Sequence, residues 1–164
     1  MAKFILPQPV IQAISDDEWV LRERYEIEFV VRSKRYKLIS AAGATTDGLS
    51  KPFWLRFIPL LGFWLGNKIT PRELPGGWTH DQLYEGEFLP RNICDEAFLY
   101  LEWKNGLWFL RRRLYYRAVR IGGEVVWDNH KPKQIQKARE MNNLYCWELG
   151  QWTEVDLPER GINR

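Results

Sequence analysis

The periodicity of the apolar residues changes along this 164-residue chain, becoming helical after His80, and that change restricts the fold to a combination of sheet and helix. From Trp19 to Val31 the pattern tends toward alternation, with Tyr25, Ile27 and Phe29 on one face and Arg24, Glu26 and Glu28 on the other. A period of two is that of a half-buried strand. Arg32-Ser33-Lys34 turns the chain, and Arg35 to Ile39 returns as a hairpin partner. Beyond His80 apolar residues recur at three- and four-residue spacing, as in Ile93, Ala97, Phe98 and Leu101. That spacing predicts a helix, and Asn105-Gly106 is its stop signal. A second helix is expected from Leu107 to about Ile121, ended by Gly122-Gly123, and a third from Pro132 to about Leu144. Short strands are expected around Gly150, between Tyr145 and Val155. The class is α+β, an N-terminal antiparallel β-hairpin followed by a helical core.

One domain accounts for the length, and a chain of this size can bury a core without staples. Residues 1–17 carry Pro7, Pro9 and Ser15-Asp16-Asp17 and read as an extended arm and a turn. The hairpin fills 18–45, the main core 46–123, and a C-terminal helix and tail 124–164. Pro71 and Pro75-Gly76-Gly77 mark an irregular stretch before His80. With 45% hydrophobic and 27% charged residues the composition fits a soluble globular protein. Aromatic residues reach 15%, nine of them Trp, which suits either a tightly built core or an exposed contact surface. The net charge of +3 names no partner. Cys94 and Cys146 are too few for a disulfide framework and lie in no metal-ligand spacing, so a reducing compartment is the simpler inference. No charged-then-apolar leader is present, so no signal peptide is expected. The apolar run Phe53 to Leu65 is interrupted by Arg56, Pro59 and Gly62 and is too short to span a bilayer, so no transmembrane helix is expected either.

The residues able to carry chemistry fall in three places. His80, one of two histidines, adjoins Asp81, and Tyr84 follows one helical turn later. On a helix the side chains of adjacent residues diverge by about 100 degrees, so His80 and Asp81 are expected to serve different partners rather than each other. Asp95 is the candidate to hold one imidazole nitrogen of His80, which would fix its tautomer and support its protonated form. Tyr84 could steady the same network through its hydroxyl. Upstream, Thr46-Asp47-Gly48 begins a loop ending at Pro52, and an Asp followed by Gly can present carboxylate and carbonyl oxygens to a hard cation. Taken singly, each has an ordinary explanation: Asp47-Gly48 a turn, Asp95 a carboxylate favoured at a helix N-terminus. Their order along the chain is what carries the argument.

That order, Thr46-Asp47 with Pro52, His80-Asp81 with Tyr84, Asp95 with Phe98, then Tyr115-Tyr116, Ala118-Val119 and Gly123, resembles the calcium-dependent phospholipase A2 enzymes of bacteria and fungi. The likeness covers about residues 45–123. It implies a helical core with two main antiparallel helices, in which His80 deprotonates the attacking water and Asp95 orients it. Asp81, Asp47 and a backbone carbonyl at or beside Gly48 would ligate calcium, which would polarise the ester carbonyl. The flanking cysteines of that family are missing, with Leu49 and Gly77 in their expected places. Residues 18–123 also resemble a phage and prophage family known as domain of unknown function 1353, with its Thr-Asp-x-x-Ser-x-Pro loop and His-Asp-x-x-Tyr motif. That likeness implies a viral origin and leaves the activity open.

Two readings follow. The first is a phage-encoded, calcium-dependent ester hydrolase whose partner is a phospholipid or membrane surface of the host, located in the virion or host cytoplasm. The alternative is a structural virion component, of tail or baseplate, that keeps the fold and contacts other virion proteins through its aromatic surface. The run from Phe53 to Leu65 could seat on lipid, but buried core or a subunit contact is the stronger reading. Arg111, Arg112, Arg113, Arg117 and Arg120, with Tyr115 and Tyr116 among them, read as a solvated helix face, and no specific nucleic-acid binding is expected.

Overall fold

The computed structural model describes residues 6–15, 18–46 and 70–157. Among these residues, seven strands and four helices follow one another as β1 (Ile11–Ala13), β2 (Trp19–Leu21), β3 (Tyr25–Val31), β4 (Lys34–Ser40), β5 (Thr45–Thr46), α1 (Leu74–Glu85), α2 (Arg91–Lys104), α3 (Phe109–Asp128), α4 (Pro132–Met141), β6 (Asn142–Glu148) and β7 (Gln151–Glu154). The fold is α+β, with two antiparallel sheets of order β1-β2-β5 and β3-β4-β6-β7.

The hairpin forms where its alternation places it. Tyr25, Ile27, Phe29 and Val31 are buried while Glu26 and Glu28 face solvent, and Val31 pairs with Lys34 across a two-residue turn. Arg32 and Ser33 both take positive φ, at 48° and 65°, the twist a tight hairpin needs but one that side chains resist. A fork from the Arg32 guanidinium to Glu96 of α2, at 3.0 and 2.6 Å, ties that turn to the helix behind it. The expected single strand from Trp19 to Val31 is instead two, β2 and β3, which belong to different sheets. The N-terminal arm also contributes β1, paired antiparallel to β2.

Three helix expectations need correction. Pro75-Gly76-Gly77 lies inside the first turn of α1 and not before it. Proline is tolerated there because the first-turn amides have no intrahelical acceptor, and the Glu102 carboxyl fills the space where a Cβ on Gly76 would stand. Gly122-Gly123 does not end α3, which continues to Asp128. Gly123 is small because the Tyr84 hydroxyl occupies its Cβ position, so it serves close approach and not termination. The helix from Pro132 ends at Met141, and the chain passes straight into β6. Asn142 makes that stop, donating to the Ala138 carbonyl at 2.7 Å and to Gln82 of α1 at 2.8 Å. The stop at Asn105, which caps α2, and the strands on either side of Gly150 are as expected.

The buried faces of β3, β4 and β6 meet α1 and α2 in one core built on Ile27, Phe29, Leu38, Trp78, Leu101 and Leu144. Trp78 is fully buried and its indole N–H donates to Ser40 of β4 at 3.4 Å. With α1 fixed on the sheet by Trp78, α2 packs beside it, and the two helices bring residues 80 and 95 together. A smaller cluster of Phe98, Leu107, Tyr115 and Ala118 joins α3 to α2.

Candidate functional site

Helix α1 presents His80 toward α2. Its Nε2 lies 3.0 Å from Oδ1 of Asp95, a residue with no exposed surface. The second oxygen of Asp95 accepts from Arg120 of α3 at 3.0 Å, so the carboxylate joins an imidazole and a guanidinium. Burial alone would raise the Asp95 pKa; the His80 and Arg120 donors overcome it and hold the carboxyl below its ordinary value. On its other side the His80 ring turns Nδ1 toward Asp81 Oδ1 at 3.5 Å. The sequence expectation kept His80 and Asp81 apart, and the helix does prevent a close pair, yet a long contact survives. Burial disfavours the imidazolium, but Asp81 and Asp95 more than compensate and push His80 up to about 9. At neutral pH this structure therefore holds His80 as a cation between two carboxylates.

Asp81 is also tied to β5. The Thr46 hydroxyl donates to its Oδ2 at 3.1 Å, and the next residue, Gln82, donates to the Thr45 carbonyl at 3.0 Å. These two contacts bring the origin of the Thr46–Pro52 loop against Asp81. Asp47 and Gly48, together with the run Phe53 to Leu65, lie outside the described residues. A hard cation would find in Asp81 one carboxylate of suitable chemistry beside a hydroxyl. Among the described residues no group of three His, Cys, Asp or Glu side chains is placed to hold a metal.

Tyr84 supports His80 differently from the expectation. Its ring stacks on the imidazole with centroids 4.9 Å apart. Its hydroxyl points away from the histidine, donating to the Gly123 carbonyl at 2.6 Å and accepting from Arg91 Nε at 2.9 Å. Burial pushes this phenol up to about 12, so it stays a donor. Arg91 also donates to the Arg120 carbonyl, which braces the segment of α3 that carries Arg120. Phe98 closes another side of the ring, edge-on at 5.5 Å. Tyr115, paired with Tyr116 in the sequence motif, is buried near the Glu73–Arg111 ion pair.

Arg120, Arg91 and Thr46 are the site contributors that sequence reasoning did not assign roles. Arg120 carried no distinguishing signal, being one of five arginines on a helix read as solvated. The second histidine also packs on Tyr84. His130 Nδ1 lies 3.2 Å from Glu87, and its ring meets Tyr84 edge-on at 5.7 Å. It helps line a cleft of about 380 Å³ with Thr45, Thr46, Gln82, Glu85 and Lys137.

No family model, no curated protein and no solved structure matches this chain. Among the described residues no helix is long and apolar enough to cross a membrane.

Proposed function

We propose that this chain is a calcium-dependent hydrolase of carboxylic esters of the phospholipase A2 kind, acting on membrane lipids. In the viral setting its sequence implies, those are host lipids as the virus enters or lyses the cell. One observation carries the reading: His80 is held by Asp95 through Nε2 at 3.0 Å while Nδ1 faces the side where Asp81 and Thr46 meet. With Nε2–H donating to Asp95, His80 offers the Nδ1 lone pair to the proton of an attacking water only in its neutral form, which a calcium ion beside Asp81 would favour by opposing the imidazolium that the two carboxylates stabilise without it. Arg120 keeps Asp95 ionised and fixes its orientation, so the ring cannot swing to the other tautomer without losing its partner. Stacking on Tyr84 restrains the ring plane. Calcium held by Asp81, Asp47 and the carbonyl at Gly48 would supply positive charge at the ester carbonyl and offset that of Asp81.

The test is hydrolysis of a fluorogenic phospholipid in calcium and in EDTA, with calcium calorimetry alongside. His80→Ala should lower turnover about 10²–10⁴-fold, the usual span of a lost general base. Asp81→Asn should abolish the calcium heat. Wild-type turnover in His80→Ala, or turnover that persists in EDTA, rejects the mechanism.

A structural role in a virion, as part of a tail or baseplate, is the second reading. It is favoured by the near burial of His80, whose side chain keeps 9% of its surface, and by Arg120 claiming the other oxygen of Asp95. Buried ion networks of that kind also serve purely to fix packing. This reading expects neither calcium binding nor turnover.

A further inference from the structure

The turn that joins α2 to α3 brings together two features, exposed apolar side chains and cations. Trp103, Trp108, Phe109 and Leu110 stand 54, 56, 49 and 48% exposed within eight residues of one another. Cations accompany them. From position 103 to 123 the chain has six Lys and Arg residues and no Asp or Glu. Two of the six are committed, Arg111 to Glu73 and Arg120 to Asp95. Lys104, Arg112, Arg113 and Arg117 form no ion pair among the described residues, and the first three lie beside aromatic rings instead. The Lys104 ammonium is 5.4 Å from the Trp103 ring, and the Arg112 and Arg113 guanidinia are 5.5 and 5.1 Å from Phe109. Arg72, donating to the Gly106 carbonyl at 3.3 Å, adds a further cation at the same turn.

The turn is also firmly built. Gly106 takes φ +77°, the Leu107 amide donates to the Glu102 carbonyl at 2.9 Å, and the buried Leu107 side chain anchors the turn in the small cluster with Phe98 and Tyr115. The exposed side chains are therefore presented on a fixed knuckle.

We propose that this knuckle is a docking surface for a bilayer carrying anionic headgroups. Trp, Phe and Leu with flanking Lys and Arg match the two layers of such an interface, rings and aliphatic groups at the acyl boundary and cations at the phosphates. Charge complementarity selects the occupant: the surface is cationic without acidic relief, and its apolar members include aliphatic Leu110, which neither stacks on bases nor pairs with phosphate. The choice of a lipid occupant rests on the reading of the His80 site as lipid-directed. Measured by sequence along α2, the knuckle begins about 12 Å from Asp95, at 1.5 Å per residue over eight residues, close enough for a docked molecule to hold its site near the membrane.

The experiment is flotation of the full chain, in EDTA, with vesicles of phosphatidylcholine alone and of phosphatidylcholine mixed equally with phosphatidylglycerol. The wild type should float with the mixed vesicles and stay behind with pure phosphatidylcholine. Arg112→Glu with Arg113→Glu should weaken binding about tenfold or more, since each cation at an anionic surface is worth roughly a fivefold change. Phe109→Ser with Leu110→Ser, both on exposed side chains, should weaken it as well without unfolding. Equal binding to both vesicle types, no binding, unaffected variants, or tighter binding to a single-stranded oligonucleotide would each overturn the proposal. Binding is measured without turnover and in His80→Ala as well. Loss of hydrolysis with flotation intact therefore removes the catalytic reading alone, and loss of flotation with hydrolysis of a soluble short-chain ester intact removes the docking surface alone.

Discussion

The protonation of His80 makes a quantitative claim about stability. In the calcium-free protein its pKa is raised from 6.5 to about 9 because Asp81 and Asp95 together outweigh the penalty of burial. At about 1.4 kcal/mol per pH unit, that difference is worth about 3 kcal/mol of folding free energy. The folded pKa lies above the unfolded one, so the contribution is fully present below 6.5 and is lost as the pH rises through about 9. Replacing the imidazole by a neutral amide, His80→Gln, removes the titration. Urea unfolding of both proteins in EDTA, at a pH below 6.5 and another above about 9, isolates the effect, because every other titrating group is shared. The stability advantage of wild type over His80→Gln should shrink by about 3 kcal/mol between the two conditions. An imidazole titration followed by NMR should give a midpoint near 9, lowered in Asp95→Asn. A difference that is constant with pH, or that grows toward alkaline pH, refutes the claim that His80 is held as a cation between two carboxylates.

Two further outcomes test the packing around the site. Gly123→Ala places a methyl on the Tyr84 hydroxyl and must break its bond to the Gly123 carbonyl; overpacking of this kind should lower stability by about 1–3 kcal/mol in a thermal or urea melt, and His80 should become more mobile by NMR because its stacking partner is displaced. Glu102 is fully buried, both of its carboxyl oxygens lack a hydrogen-bond partner among the described residues, and Arg111 is already engaged by Glu73. Burial raises its pKa well above 4.5, so folding keeps a proton that the unfolded chain releases, and stability falls as the pH rises above 4.5. Glu102→Met should remove that slope and gain about 1–3 kcal/mol at neutral pH, whereas a loss of stability would mean the carboxyl has a partner that matters.

The sequence by itself determined the elements whose periodicity and turn chemistry are local. The β3–β4 hairpin is legible because Tyr25, Ile27, Phe29 and Val31 must share one face whatever lies against it. The cap of α2 at Asn105 and the strands about Gly150 are legible for the same reason. The pairing of His80 with Asp95 was legible from the order of the motifs, and α1 and α2 packed side by side realise it at 3.0 Å. Tertiary structure alone decided the rest. Proline and glycine read the same in sequence whether they end a helix, open one, or make room for a neighbour; Glu102 over Gly76 and Tyr84 against Gly123 make the last of these true. The tail could not be joined to the hairpin from its own pattern, because the pairing of β6 with β4 is a contact across about a hundred residues. Arg120 is the clearest case. Five arginines on one helix are chemically alike, and only the packing of α3 on α2 selects one to hold Asp95, another to meet Glu73, and leaves the others at the surface. Local free energy fixes helix and strand, but the partner of a long charged side chain is set by which face of its helix the core buries.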